Sequence, residues 1–206
     1  MAGTLFIISA PSGAGKTSLV TKLIDRDSRI QASVSSTTRP KRDGEEDGVN
    51  YHFLSVEAFE QKIENGDFLE HANVFDNFYG TSKSDVETLL ATEKDVILEI
   101  DWQGAQQVRT LMPDAISIFI LPPSLKELER RLKGRGTDSE AVIQQRTQEA
   151  ISEMQHYKEF DYLVINNNFD IALNELHSIF LANRQSLARQ YAEHATMINE
   201  MTQVNA

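Results

Sequence analysis

Ala10-Pro11-Ser12-Gly13-Ala14-Gly15-Lys16-Thr17 sits between the apolar run Thr4-Leu5-Phe6-Ile7-Ile8-Ser9 and a segment with Leu19, Val20, Leu23 and Ile24 at helical spacing. The first run is short, β-branched and aromatic, and it ends in a Pro/Gly cluster, the pattern of a buried strand entering a turn. Strand, glycine-rich turn and helix therefore follow one another directly. The turn matches the phosphate-binding pattern G-x-x-x-x-G-K-[ST] except that Ala10 replaces the first glycine. Backbone amides of such a loop, at the amino end of a helix, converge on one concavity and offer fixed donors to a polyphosphate. Gly13 and Gly15 permit the backbone, Lys16 brings a point charge to the terminal phosphates, and the Thr17 hydroxyl suits the Mg2+ carried by a nucleoside triphosphate.

Further buried-strand runs occur at Val96-Ile97-Leu98-Glu99-Ile100, from Ile116 to Leu121, and at Tyr162-Leu163-Val164-Ile165, each separated by helical or loop stretches. Ser124-Leu125-Lys126-Glu127 and Thr137-Asp138-Ser139-Glu140 both fit the reciprocal capping box that opens a helix. Strands alternating with helices predict an α/β fold, a parallel sheet covered on both faces with its ligands at the carboxyl ends of the strands. From about Ser33 to Leu90 the pattern changes to aromatic pieces around Tyr51-His52-Phe53, Phe68 to Phe75 and Phe78-Tyr79, broken by glycines. This stretch reads as an inserted mixed α/β subdomain. Asp170 to Met201 reads as one long helix or two, with a polar end that leaves pairing with another copy open.

The 206 residues suit one α/β domain with small insertions, and 40% apolar with 25% charged residues is a globular composition. Acidic residues outnumber basic ones by 31 to 20, a net charge of −11 that argues against generic nucleic-acid binding. Without cysteine there is no disulfide framework or thiolate zinc site, and the five histidines show no metal-ligand spacing. Neither an export signal nor a membrane span is visible, so the expected location is cytoplasmic.

The loop alone does not name a reaction, since kinases, GTPases and motors share it. Ser35-Ser36-Thr37-Thr38-Arg39-Pro40-Lys41-Arg42-Asp43-Gly44-Glu45 sets two guanidiniums beside hydroxyls, with Tyr51 following. Such a group can hold a phosphate monoester by forked, charge-assisted hydrogen bonds, although composition alone equally fits a solvated basic loop balanced by Glu45-Glu46-Asp47. Together with Tyr79-Gly80-Thr81, Ile100-Asp101-Trp102-Gln103-Gly104, and the stretch from Leu121-Pro122-Pro123-Ser124 through Arg131-Leu132-Lys133-Gly134-Arg135-Gly136, this ordered set resembles guanylate kinase over nearly the whole chain. The chain departs from the commoner family residues at Ala10 and at Asn166-Asn167-Asn168.

The resemblance implies ATP along Ala10, Pro11, Ser12, Gly13, Ala14, Gly15, Lys16, Thr17 and Ser18, with Mg2+ on Thr17. It implies the GMP phosphate on Arg39, Arg42, Tyr51 and Tyr79, and guanine among Ser35, Glu70, Thr81 and Asp101. Carboxylates facing the guanine N–H donors and hydroxyls facing O6 and N7 are chemically complementary. By spacing alone Glu70 also fits the wet side of an alternating strand. Glu99 and Asp101 end a buried strand, where a carboxylate is costly unless a ligand or cation uses it. Arg130, Arg131, Arg135 and Arg146 read as solvated charges on composition; the resemblance makes this segment a mobile lid, with Arg135 and Arg146 the favoured catalytic arginines beside Lys16 and Arg39. The implied architecture is a P-loop core of residues 1–32, 91–124 and 147–206, a GMP-binding subdomain at 33–90 and a small helical lid at 125–146. The implied reaction is ATP + GMP ⇌ ADP + GDP. A non-catalytic guanylate-kinase-like binding module is the alternative, disfavoured by the intact Lys16 and Thr17. A regulatory GTPase would need an Asn-Lys-x-Asp motif, which the chain lacks.

Overall fold

The computed structural model describes residues 3–74, 76–134 and 140–202. The chain first forms β1 (Leu5–Ser9), α1 (Lys16–Arg26), β2 (Ile30–Ala32), β3 (Ser36–Thr37), β4 (His52–Phe53), α2 (Val56–Glu64), β5 (Phe68–Val74), β6 (Asn77–Ser82) and α3 (Lys83–Ala91). It continues through β7 (Asp95–Glu99), α4 (Trp102–Leu111), β8 (Ile116–Leu121), α5 (Leu125–Lys133), α6 (Glu140–Met154), β9 (Tyr162–Ile165), α7 (Phe169–Arg184) and α8 (Leu187–Thr202).

Every residue of β1 is buried, so both faces of its sheet must be covered. The sheet is parallel, in the order β2-β7-β1-β8-β9. Alternation along β1 sends Phe6 and Ile8 to one face, where they pack with Leu19 and Leu23 of α1 and Leu176 and Phe180 of α7. Leu5 and Ile7 go to the other, with Val86 of α3, Ala105 and Val108 of α4, and Leu69 of β5. Phe6 and Phe180 stack with ring centroids 3.8 Å apart. The arrangement is the α/β parallel sheet with helices on both faces expected from the sequence. One strand, β2, was not apparent there: three residues are too few to show a period.

A second, four-stranded mixed sheet, β4-β3-β6-β5, lies within the aromatic-rich stretch, and Phe59 of α2 stacks against Phe68 and Phe78 on it. The C-terminal pattern resolves into two helices, α7 and α8. Ser124 caps α5 through its hydroxyl, which accepts from the Glu127 N–H at 3.2 Å. The Glu127 carboxylate turns instead to Arg130 and Arg131. The second capping box, Thr137 to Ser139, lies outside the described residues. No helix among the described residues is long and apolar enough to cross a membrane.

Candidate functional site

The carboxyl ends of β1 and β7 converge where the glycine-rich turn meets α1, the place expected for ligands of such a sheet. Gly15 caps α1 at φ +94°, a conformation that strongly favours glycine. Ala10 is not among the residues of positive φ and packs against the core, so its substitution for glycine carries no backbone strain. Lys16 extends across to β7, where its Nζ donates to the Ile100 carbonyl at 3.2 Å. Burial lowers its pKa, and the negative charges of Glu99, Asp101, Glu153 and Glu70 oppose that shift. The Thr17 hydroxyl donates to Glu99 Oε2 at 3.2 Å, which gives Glu99 a definite partner. Glu153, on α6, accepts from the loop's Ser12 N–H at 3.3 Å, and burial raises its pKa.

One cavity of about 210 Å³ joins this loop to the second sheet, lined by Lys16, Ser35, Tyr51, Glu70, Tyr79 and Asp101 among others. Glu70 is buried rather than on the wet side of β5. Its Oε1 accepts from the Thr81 hydroxyl at 2.6 Å, across the β5–β6 pairing that sets the two residues opposite each other. Burial is the main cause that pushes its pKa up to about 7, aided by the Asp101 charge and opposed by the Thr81 hydrogen bond. A Cβ on Gly104 would stand 2.9 Å from Glu70 Oε2, so any larger residue there would have to push this carboxylate aside. Asp101 has a structural task that its position did not announce. Its Oδ1 accepts from the Gly104 N–H at 2.8 Å and caps α4.

Beside the second sheet Arg39 forks onto Glu45, at 2.7 Å to Oε1 and 3.1 Å to Oε2, and lies 5.4 Å from the Tyr51 ring centroid. This pair holds Glu45 below the usual carboxylate range. Tyr51 and Tyr79 meet edge to face at 6.0 Å. Arg42 is exposed, its backbone N–H donating to Glu45.

The four arginines between residues 130 and 146 divide. Arg130 is exposed and paired with Glu127, whereas Arg131 reaches the loop: Nη1 donates to the Ala14 carbonyl at 3.2 Å and Nη2 to the Asn166 carbonyl at 2.9 Å. Arg146 lies half-buried on α6. Arg135 lies outside the described residues.

Residues 2–183 match the guanylate kinase family. The chain belongs to the guanylate kinase family. The guanylate kinase of Hydrogenovibrio crunogenus is 75% identical over 203 residues, covering 98% of this chain and 99% of that protein. That of Alkalilimnicola ehrlichii is 60% identical over 190 residues, covering 92% and 94%. Among solved structures, the guanylate kinase of Anaplasma phagocytophilum superposes with a TM-score of 0.74 at 33% identity, covering 91% of this chain and 89% of that one.

Proposed function

We propose that this chain is an ATP:GMP phosphotransferase, ATP + GMP ⇌ ADP + GDP, with dGMP a second acceptor. The observation that carries the reading is the shared cavity, in which the Lys16 amine stands among the carboxylates of Glu70 and Asp101 and the phenols of Tyr51 and Tyr79. Family membership and the two close relatives support it.

In this reading residues 10–18 cradle the phosphates of ATP, and Arg39, Arg42, Tyr51 and Tyr79 hold the phosphate of GMP. Arg39 exchanges Glu45 for that phosphate, a fork already built for a tetrahedral anion. Glu70 and the second oxygen of Asp101 accept from the guanine N1–H and N2–H2, Ser35 offers its hydroxyl to the base, and Thr81, whose proton goes to Glu70 Oε1, serves the base by holding that carboxylate. The acceptor needs no general base, because a phosphate monoester has a second pKa of about 6 and is mostly dianionic at neutral pH. Lys16, Arg39, Arg146 and Arg135 neutralise charge on the group in transfer. Thr17 and Glu99 form an oxygen-only pair that fits Mg2+ and would hold it. Mg2+ arriving with ATP supplies charge neutralisation at the terminal phosphates. Residues 33–90 and 125–146 act as a GMP-binding subdomain and a lid that close on the core and exclude water. A cytoplasmic location fits these substrates.

The test is ADP release in a coupled assay with ATP and Mg2+ against GMP, AMP, UMP and no acceptor. Adenine lacks the N2 amine and carries a donor where guanine has O6. It leaves at least two site groups unpaired, at about 1–3 kcal/mol each, so GMP should exceed AMP by at least about 30-fold in kcat/KM. AMP turnover equal to that with GMP would remove Glu70 and Asp101 from the base site.

The raised pKa of Glu70 gives a second expectation. Its ionised form is the one that accepts from guanine, so GMP binding releases a proton from a carboxyl that titrates at about 7 in the free protein. Raising the pH from 6 to 8 should therefore tighten GMP binding to the wild type by about tenfold more than to Glu70→Gln, the phosphate titration being common to both. Calorimetry in two buffers of different ionisation heat reads the proton directly. Equal pH slopes for the two proteins would show that Glu70 does not face the base.

A further inference from the structure

We propose that Asn166 and Arg131 are positioning residues of the phosphate loop, holding the Ala14 carbonyl so that the Gly15 N–H is aimed at the bound triphosphate. The inference rests on the reading of residues 10–18 as the ATP phosphate site and adds to it two side chains that need not touch ATP.

Asn166 follows β9 directly, and its backbone N–H donates to the Leu121 carbonyl at 2.8 Å, which extends the β8–β9 pairing by one residue. Its side chain is thereby held against the loop. Asn166 is 4% exposed, and its Nδ2 donates to the Ala14 carbonyl at 2.7 Å, a buried hydrogen bond between residues 152 apart in the chain. Arg131, from α5, gives the same carbonyl a second donor at 3.2 Å and ties itself to the Asn166 carbonyl at 2.9 Å. Its Nε is fixed by Glu127 at 2.8 Å. Three elements that are distant in sequence meet on one loop oxygen.

The consequence follows from the planarity of the peptide. In a trans peptide the C=O of one residue and the N–H of the next point in opposite directions, so fixing the Ala14 carbonyl fixes the Gly15 N–H. Glycine makes this necessary. Gly15 at φ +94° is what lets the loop turn, but a residue without Cβ also leaves the peptide before it easy to rotate. Two donors on the carbonyl decide between the orientations before any nucleotide arrives, which lowers the ordering cost of binding. The fit is close: a Cβ on Gly15 would lie 2.5 Å from Asn166 Nδ2. Gly15 is thus constrained twice, by its backbone angle and by the side chain that clamps the carbonyl before it. The neighbouring Asn168 has a different task, since its Oδ1 accepts from the Ile171 N–H and caps α7.

The test compares Asn166→Ala, Asn166→Asp, Arg131→Met and Arg131→Lys with the wild type. The readouts are direct titration with ATP, direct titration with GMP, KM and kcat for each substrate, and the unfolding midpoint. Loss of one donor in Asn166→Ala should weaken ATP by about tenfold and leave GMP within about twofold. Asn166→Asp should be worse than Asn166→Ala, because it turns a carboxylate oxygen toward the carbonyl oxygen. Arg131→Lys, which can keep one donor, should recover part of what Arg131→Met loses. Unchanged ATP affinity in both Asn166→Ala and Arg131→Met would overturn the proposal, as would equal weakening of ATP and GMP with a lowered midpoint, the mark of a merely structural strut. Should the Asn166 variants fail to fold, the Arg131 pair decides alone, since that side chain is only partly buried. If the wild type binds ATP without GMP-dependent turnover, the functional reading fails while the ATP titrations still judge the clamp.

Discussion

Lys16→Met is expected to lower kcat for GMP-dependent ADP release by at least about 10³-fold, equivalent to about 4 kcal/mol of lost transition-state stabilisation. Methionine keeps most of the apolar stem and removes the ammonium, with its charge and its hydrogen bond to Ile100 O. The amine stands at the carboxyl end of β7, where Ile100 O receives it at 3.2 Å, among Glu99, Asp101, Glu153 and Glu70. Burial works against the ammonium, and those carboxylates work for it. An amine held in place before the substrate arrives is preorganised, and its effect should grow as charge spreads over the group in transfer. The loss should therefore be seen in kcat more than in the KM for GMP. A fall in kcat of less than about tenfold, with the unfolding midpoint unchanged, would remove Lys16 from the donor site. The same variant carries an independent signature at Glu70. The Lys16 charge is one of the influences holding the Glu70 pKa down, so its removal should shift the pH dependence of GMP binding to higher pH.

The parts of the site visible in the sequence are those whose residues lie side by side. Gly13 to Thr17 can be read as a cradle because strand, turn and helix are contiguous, and the Arg39–Glu45 fork joins residues only six apart. The helix starts are visible for the same reason, with Ser124 acting on an amide three residues on. What the sequence did not disclose is held together at long range. Asn166 meets Ala14 across 152 residues and Glu153 meets Ser12 across 141, and no local period marks either pair. Glu70 stood open between a wet strand face and a ligand site because alternation states which side it takes, not what covers that side. The answer comes from α4, whose first turn approaches closely enough that a Cβ on Gly104 would displace the Glu70 carboxylate. Asp101 shows the opposite limit. A carboxylate at the end of a buried strand is correctly read as needing a partner, yet the partner found is the helix amide of Gly104. One oxygen serves the fold, and the rigidity it gives the residue is what the proposed role of the second oxygen at the base would require.

The second large effect lies at the other end of the sheet. Arg184→Met is expected to destabilise the fold by about 3–5 kcal/mol, because it leaves buried carboxylates without their cation. Arg184, at the end of α7, donates through Nη1 to Asp27 at 2.5 Å and through Nε to Asp95 at 2.7 Å. Asp95, the first residue of β7, is 2% exposed and also receives the Thr4 N–H and Arg189. Asp27 takes His177 and the Arg29 backbone as well. The network therefore joins the ends of α1 and α7 to the start of β7, and through Arg189 it docks α8. It is not wholly favourable, since Nη2 of Arg184 is buried without a partner among the described residues. For a chain of this size the loss corresponds to a fall of roughly 6–20 °C in unfolding midpoint. The pH dependence separates this cause from a simple packing defect. Burial alone would raise the Asp27 pKa, but hydrogen bonds from Arg184 and His177 outweigh it and hold the carboxyl well below its ordinary range. A depressed folded-state pKa gives stability that is present above the unfolded value of about 3.9 and lost as the pH falls below it. Removing Arg184 removes the largest of the influences that lower the Asp27 pKa, so the stability gap between wild type and Arg184→Met should be full at neutral pH and narrow as the pH falls below about 4. A gap independent of pH would mean that the guanidinium acts by its volume and not its charge. Because the network sits at the amino ends of the strands, kcat of the folded variant below its melting range should remain within about twofold of wild type.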